Sequence, residues 1–177
     1  MSDTITTLLD RNRQFASNFT AADMPVLPKL RTVLLTCGDS RVDPAHVLGL
    51  ELGDAVIMRN NGGRVTQAVV EEVAALAFMV TKMGGDGPPA FELIIIHHTQ
   101  CGVQRFADPD FQRELMEKAG VDVSSIAITD HELSLREDIE RLRNAPEVPD
   151  YVLVSGLIYD VKDGRLREVI KPTVLAP

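Results

Sequence analysis

The run Phe91-Glu92-Leu93-Ile94-Ile95-Ile96 sets the tightest limit on what this chain can fold into. Apolar residues that follow one another with almost no alternation fit a strand buried on both faces, the kind found in the middle of a parallel sheet. Helices must then cover it. Residues 31–36, 55–58 and 151–154 read as companion strands.

Helical patterns fill the intervals. Thr66 is an N-cap for a helix whose stripe is Val69, Val73, Leu76 and Val80, widened by Val70, Ala74 and Ala77. So broad an apolar face implies contact on two sides, with the sheet and with a second subunit. Asp43-Pro44 opens a short helical turn over residues 45–48. Asp108-Pro109 opens a helix carrying Phe111 and Leu115 and ending at Gly120. Asp130 caps another, with Leu135, Ile139 and Leu142 inward and Glu132–Arg136 and Glu137–Arg141 as i,i+4 surface pairs. Lys162-Asp163-Gly164 between residues 157–159 and 166–169 is a hairpin signal.

The expected fold is α/β, with a mainly parallel central sheet of about four strands flanked by helices and a C-terminal antiparallel hairpin. Residues 1–177 read as a single domain. Residues 1–20 form a helical arm whose Ile5, Leu8, Leu9 and Phe15 pack on the same domain or reach another subunit. Gly84-Gly85-Asp86-Gly87-Pro88-Pro89 precedes a strand and lacks Lys-Ser/Thr, so it is read as a loop that does not bind phosphate. No Gly-x-Gly-x-x-Gly follows a strand, which removes support for a dinucleotide fold.

A formal net charge of −8 repels phosphate backbones and anionic lipid, against nucleic acid or a membrane surface as partner. The first residues show no basic-then-apolar signal, and no stretch is long and apolar enough to span a bilayer. The reading is cytoplasmic, where two cysteines are ligands, catalytic groups or core residues more readily than a disulfide.

Those cysteines stand at strand ends. Cys37 follows Val33-Leu34-Leu35-Thr36, and Cys101 follows the central strand in His98-Thr99-Gln100-Cys101. Ligands of open parallel sheets collect outside the carboxyl ends of strands, so Cys37, the turn Arg59-Asn60-Asn61-Gly62-Gly63 and the His98/Cys101 pair converge on one edge. Two thiolates and an imidazole select zinc or a similar borderline metal, with a fourth position open to water or to Asp39. On spacing alone two alternatives stand beside a metal. They are two inert buried cysteines and a cysteine–histidine nucleophile pair. His97 points away from His98 and reads as a packed histidine. His46 and His131 read as solvated or hydrogen-bonded side chains.

Cys37-Gly38-Asp39-Ser40-Arg41 together with His98-Thr99-Gln100-Cys101-Gly102 resembles the signature pair of the β-class carbonic anhydrases. The turn at residues 59–63 is similar to that family's Arg-Asn-Ala-Gly turn. The likeness runs from about residue 31 to residue 101, and more weakly to the hairpin at residues 159–164. It implies zinc on Cys37, His98 and Cys101, with Asp39 and Arg41 as the family's catalytic dyad and Asp39 as a fourth ligand in a closed state. It also implies a substrate pocket around Asn60, Asn61, Gly62 and Gly102, a homodimer or homotetramer, and a small-molecule substrate. The implied reaction is reversible hydration of carbon dioxide by a zinc-activated hydroxide.

The sequence departs from the family pattern in two places. Asn61 stands where a small alanine is usual, and Leu27-Pro28 lies where plant-type members carry a substrate-binding glutamine. The short chain also resembles compact members that hydrolyse carbonyl sulfide or carbon disulfide with the same zinc site. A non-catalytic zinc- or redox-responsive binding protein is the reading from another class.

Overall fold

The apolar run becomes the inside of β3, Glu92–His98, where Leu93 and Ile95 have no exposed surface. This is a computed structural model, and it describes residues 3–83 and 91–176. The loop expected at residues 84–89 lies outside the described residues. The other strands are Thr32–Cys37 (β1), Ala55–Asn60 (β2), Leu153–Tyr159 (β4) and Leu166–Val174 (β5). Their order is β2-β1-β3-β4-β5, parallel except for β5, which pairs antiparallel with β4. The stretches at residues 151–154 and 157–159, expected as a strand and a separate hairpin arm, meet in the single strand β4, which starts at Leu153.

The helices are Asp3–Ala16 (α1), Pro44–Val47 (α2), Gln67–Met83 (α3), Pro109–Ala119 (α4) and His131–Arg143 (α5). Their starts follow the capping signals. Asp43, Asp108 and Asp130 each accept a backbone N–H of the first turn, and Gly120 ends α4 at φ 66°. The main core joins Val33 and Leu35 of β1, Leu93 and Ile95 of β3 and Val154 of β4 to Val69, Val70, Val73 and Ala77 of α3. Leu135, Ile139 and Leu142 of α5 complete it.

Three expectations change. Glu132 pairs with Arg167 of β5 at 2.8 Å, and Glu137 reaches Arg64 at 3.3 Å. Arg141 donates to the Val65 carbonyl at 2.8 Å. Partners from other parts of the chain thus displace the two i,i+4 pairs, because each fixes a loop or strand edge against α5. Finally, no residue of α1 is buried against the described residues, so its apolar stripe does not join the domain's core.

The strand order explains where a site can form. The connection leaving β1 runs to β2 on one side, whereas the connection leaving β3 runs to β4 on the other. The crevice between the carboxyl ends of β1 and β3 is therefore the topological switch point, where loops part and leave room for a ligand. Cys37 ends β1 and His98 ends β3.

Candidate metal centre

At the switch point Cys37, His98 and Cys101, all buried, bring their donor atoms within 4.8 Å of one another. The two sulfurs lie 3.7 Å apart, and both cysteines are free. Two thiolates about 2.3 Å from a tetrahedral zinc stand about 3.8 Å from each other, so the sulfur spacing matches that geometry. The imidazole fits as well. His98 Nδ1 lies 3.0 Å from the Thr99 carbonyl, an acceptor only, which fixes the proton on Nδ1. Nε2 is then left with a lone pair, is buried, and has no hydrogen-bond partner among the described residues. A buried acceptor without a partner is costly, and a cation removes that cost.

The thiols divide one proton unequally. The Cys101 thiol donates to Cys37 and holds it well below the usual thiol range, helped by the backbone N–H groups of Asp39 and Gly62, against the effect of burial. Cys101 is pushed up by that same partner and by burial. A small apolar cluster of Val42, Val103 and Ile128 closes around the sulfurs.

Beside the triad, Arg41 holds the Asp39 carboxylate at both oxygens, Nε to Oδ1 at 3.0 Å and Nη2 to Oδ2 at 2.7 Å. The Arg41 backbone N–H adds a third bond to Oδ1 at 2.9 Å. These bonds hold Asp39 well below the usual carboxylate range. Its Oδ2 lies 3.9 Å from His98 Nε2, at the edge of the donor set.

The turn after β2 is pressed against β1. Gly63, at φ 68°, has no room for a side chain, because a Cβ would stand 3.0 Å from the Thr36 carbonyl carbon and 3.1 Å from the Cys37 nitrogen. A Cβ on Gly62, at φ 84°, would stand 3.1 and 3.2 Å from the Ile128 and Val103 side chains. Asn60 accepts the Arg64 N–H at 3.0 Å and donates to the Arg64 carbonyl at 2.8 Å, so its amide braces the turn. Asn61 and Gly102 are exposed.

Two arginines beside the site carry roles that the motif reading passed over. Arg59 donates to the Cys37 carbonyl at 3.0 Å and the Asp39 carbonyl at 2.7 Å, clamping the ligand loop. Arg64 is 2% exposed, and its guanidinium donates to Asp138 at 2.8 Å and to the Ala127 carbonyl at 2.7 Å. The sequence held one signal for that pair. Asp138 is a charge inside the apolar stripe of α5, three residues after Leu135.

The remaining histidines divide. His97 is buried and points toward α5, 3.5 Å from Asp138. His131 is neither solvated nor hydrogen-bonded among the described residues. Its ring packs edge-on against His97, 5.7 Å between centroids. Burial, and after it the nearby His97 and His98, push His131 down to about 4. His46 is exposed and faces Asp43 at 3.4 Å.

Comparison with known proteins agrees with this geometry. The family model described as carbonic anhydrase matches residues 32–120. Beta-carbonic anhydrase 1 of Mycobacterium tuberculosis is 29% identical over 91% of this chain and 94% of its own. A carbon disulfide hydrolase of Saccharolobus solfataricus is 31% identical over 78% of this chain and 76% of its own. The crystal structure of carbonic anhydrase from Streptococcus mutans superposes with a TM-score of 0.78 at 38% identity, covering 96% of this chain and 99% of that one. With the Cys37–His98–Cys101 donor set at the sheet's switch point, the chain belongs to the β-carbonic anhydrase family, whose members use zinc.

Proposed function

We propose that the protein catalyses reversible hydration of carbon dioxide to bicarbonate and a proton, with zinc on Cys37, His98 and Cys101. The observation that carries this reading is the ionised Asp39 carboxylate, locked by Arg41 at the edge of the donor set. A structural metal site needs no such group, whereas a site that handles a nucleophile does. Zinc held by the triad would lower the pKa of a bound water toward about 7 and supply a nucleophile at neutral pH.

The chain's own groups do the rest. Asp39, which cannot take up a proton near neutrality, accepts a hydrogen bond from the nucleophile and turns its lone pair toward the substrate carbon. Arg41 keeps the carboxylate in that orientation. The Asp39 and Gly62 N–H groups stabilise the Cys37 thiolate and so moderate its donation. Asn61, Gly62 and Gly102 wall the substrate pocket, while Asn60 shapes it through its grip on Arg64. Stopped-flow carbon dioxide hydration tests the proposal. Zinc-loaded protein is expected to exceed a Cys37→Ser control by orders of magnitude, and equal rates overturn it.

Hydrolysis of carbon disulfide or carbonyl sulfide at the same site is the second reading, favoured by the 31% identical relative. Sulfide release from either compound by the zinc-loaded protein, with slow carbon dioxide hydration, would select it. A zinc-loaded protein inactive on all three substrates would be a binding protein.

The proposed assembly is a homodimer or homotetramer. Leu8, Leu9 and Phe15 of α1 are exposed, as are Phe78, Met79 and Met83 of α3. An apolar groove lined by Val26, Leu27, Val33, Leu76 and Phe91 lies at the opposite end of the strands from the triad. Light scattering after chromatography of the full chain and of Leu8→Glu/Phe15→Glu checks this; a monomeric native chain overturns it. No described helix is long and apolar enough to cross a membrane. Two buried free thiols support a reducing, cytoplasmic setting.

A further inference from the structure

We propose that Thr99 and Asp160 are positioning residues for the metal centre, fixing the step from β3 into the Cys101 loop so that His98 presents Nε2 to the other two ligands. Thr99 follows His98 directly and is held at three points by the end of β4 and the hairpin beyond it. Its N–H donates to the Tyr159 carbonyl at 2.9 Å. Its hydroxyl donates to Asp160 Oδ1 at 3.0 Å and accepts the Val161 N–H at 3.1 Å. Asp160 is rooted in turn. Its Oδ1 also accepts the Lys162 N–H at 2.9 Å, and its own N–H donates to the Arg165 carbonyl at 2.8 Å.

The register shows why a side-chain bond is placed here. His98 pairs with Tyr159 as the last rung between β3 and β4. Thr99 and Asp160 occupy the next level, where β3 must turn away to bring Cys101 back toward Cys37. The hydroxyl–carboxylate bond continues the attachment after the backbone ladder has ended. It thereby sets the peptide plane whose carbonyl accepts from His98 Nδ1 at 3.0 Å. That carbonyl fixes the tautomer and the ring angle, and both decide where Nε2 points.

Gln100, the next residue, sits at φ 54°, a region that favours glycine. Its carbonyl accepts from Arg41 Nη2 at 3.0 Å. The four-residue segment 98–101, bearing two of three ligands, is thus clamped by the hairpin on one side and by Arg41 on the other. Without the hairpin clamp, the left-handed Gln100 has reason to relax and carry Cys101 with it.

The inference rests on zinc occupying the triad, and its test reads zinc affinity in place of catalysis. Thr99→Val, Thr99→Ser and Asp160→Ala are compared with the native full chain by chelator competition for zinc, by absorption of the cobalt-substituted proteins, and by urea unfolding. Thr99→Val and Asp160→Ala are expected to weaken zinc binding about 10- to 100-fold and to shift the cobalt ligand-field bands, while Thr99→Ser restores both. A role confined to stability would lower the urea midpoint and leave affinity and bands unchanged, which overturns the proposal. Equal loss in Thr99→Ser and Thr99→Val also overturns it. If Thr99→Val does not fold, Asp160→Ala decides alone, because it leaves the strand pairing intact. A native chain without zinc affinity would overturn the triad itself, whereas native affinity untouched by the substitutions overturns only this inference.

Discussion

Arg41 and Asp39 meet as a planar fork on a carboxylate, two parallel bonds of 3.0 and 2.7 Å made across only two residues of sequence. The pair is half exposed on the arginine side and mostly shielded on the aspartate side, where it faces the donor set. Its value is geometric. An exposed ion pair adds little stability, but a bidentate one fixes the plane of the carboxylate.

Replacement of Asp39 by Asn keeps shape and removes charge. We expect kcat/KM for carbon dioxide hydration to fall by about 100-fold or more with zinc content unchanged. Arg41→Lys, which cannot fork, is expected to lose activity too, though less, since a point charge still neutralises the carboxylate. Stopped-flow rates with metal analysis check both. An Asp39→Asn enzyme at native rate removes Asp39 from the mechanism.

Zinc binding should release protons in a countable way. The Cys101 thiol holds Cys37 down as a thiolate, while Cys101, pushed up by the same contact and by burial, keeps its proton in the metal-free chain. Between pH 7 and 9 the logarithm of the zinc association constant is therefore expected to rise with a slope of about one per pH unit, not two. Chelator competition across that range, at fixed ionic strength, reads the slope.

The Arg64–Asp138 pair is buried on both sides, with exposures of 2% and 0%. Removing Arg64 strands the buried Asp138 carboxylate, so Arg64→Met should cost about 3–5 kcal/mol in urea unfolding, and Asp138→Ala less, because Glu137 still reaches Arg64 at 3.3 Å. The double substitution Arg64→Met/Asp138→Leu should cost clearly less than the sum. Strict additivity would show that the two charges do not depend on each other.

His131 makes acid stability testable. Its pKa falls from 6.5 in the unfolded chain to about 4 in the fold, so the unfolded state binds the proton first. The sign follows from that order. Its neutral form supports the fold fully above about pH 6.5, and that support is lost progressively as pH falls toward 4. His131→Phe, which keeps an aromatic ring against His97, should flatten the stability profile between those pH values. Urea midpoints measured at half-unit steps check this, and parallel native and variant profiles would assign the acid sensitivity to other groups.

The sequence by itself determined the class of fold, the helix starts and the meeting of Cys37, His98 and Cys101 at one sheet edge. Each of these is written locally. An unbroken apolar strand must be covered on both faces, an aspartate before a helix accepts orphan N–H groups, and a thiol or imidazole after a strand must emerge at the sheet's carboxyl edge. The tertiary structure decided what depends on which distant groups meet. It gave Glu132 and Glu137 to Arg167 and Arg64 in place of their helical neighbours, set the half-buried His131 ring against His97, and left α1 without a buried residue. It also brought Asp160 to Thr99 across 61 residues. Partner choice among charged and polar side chains is settled by desolvation and geometry once the strands have found their order, and neither is expressed in local spacing.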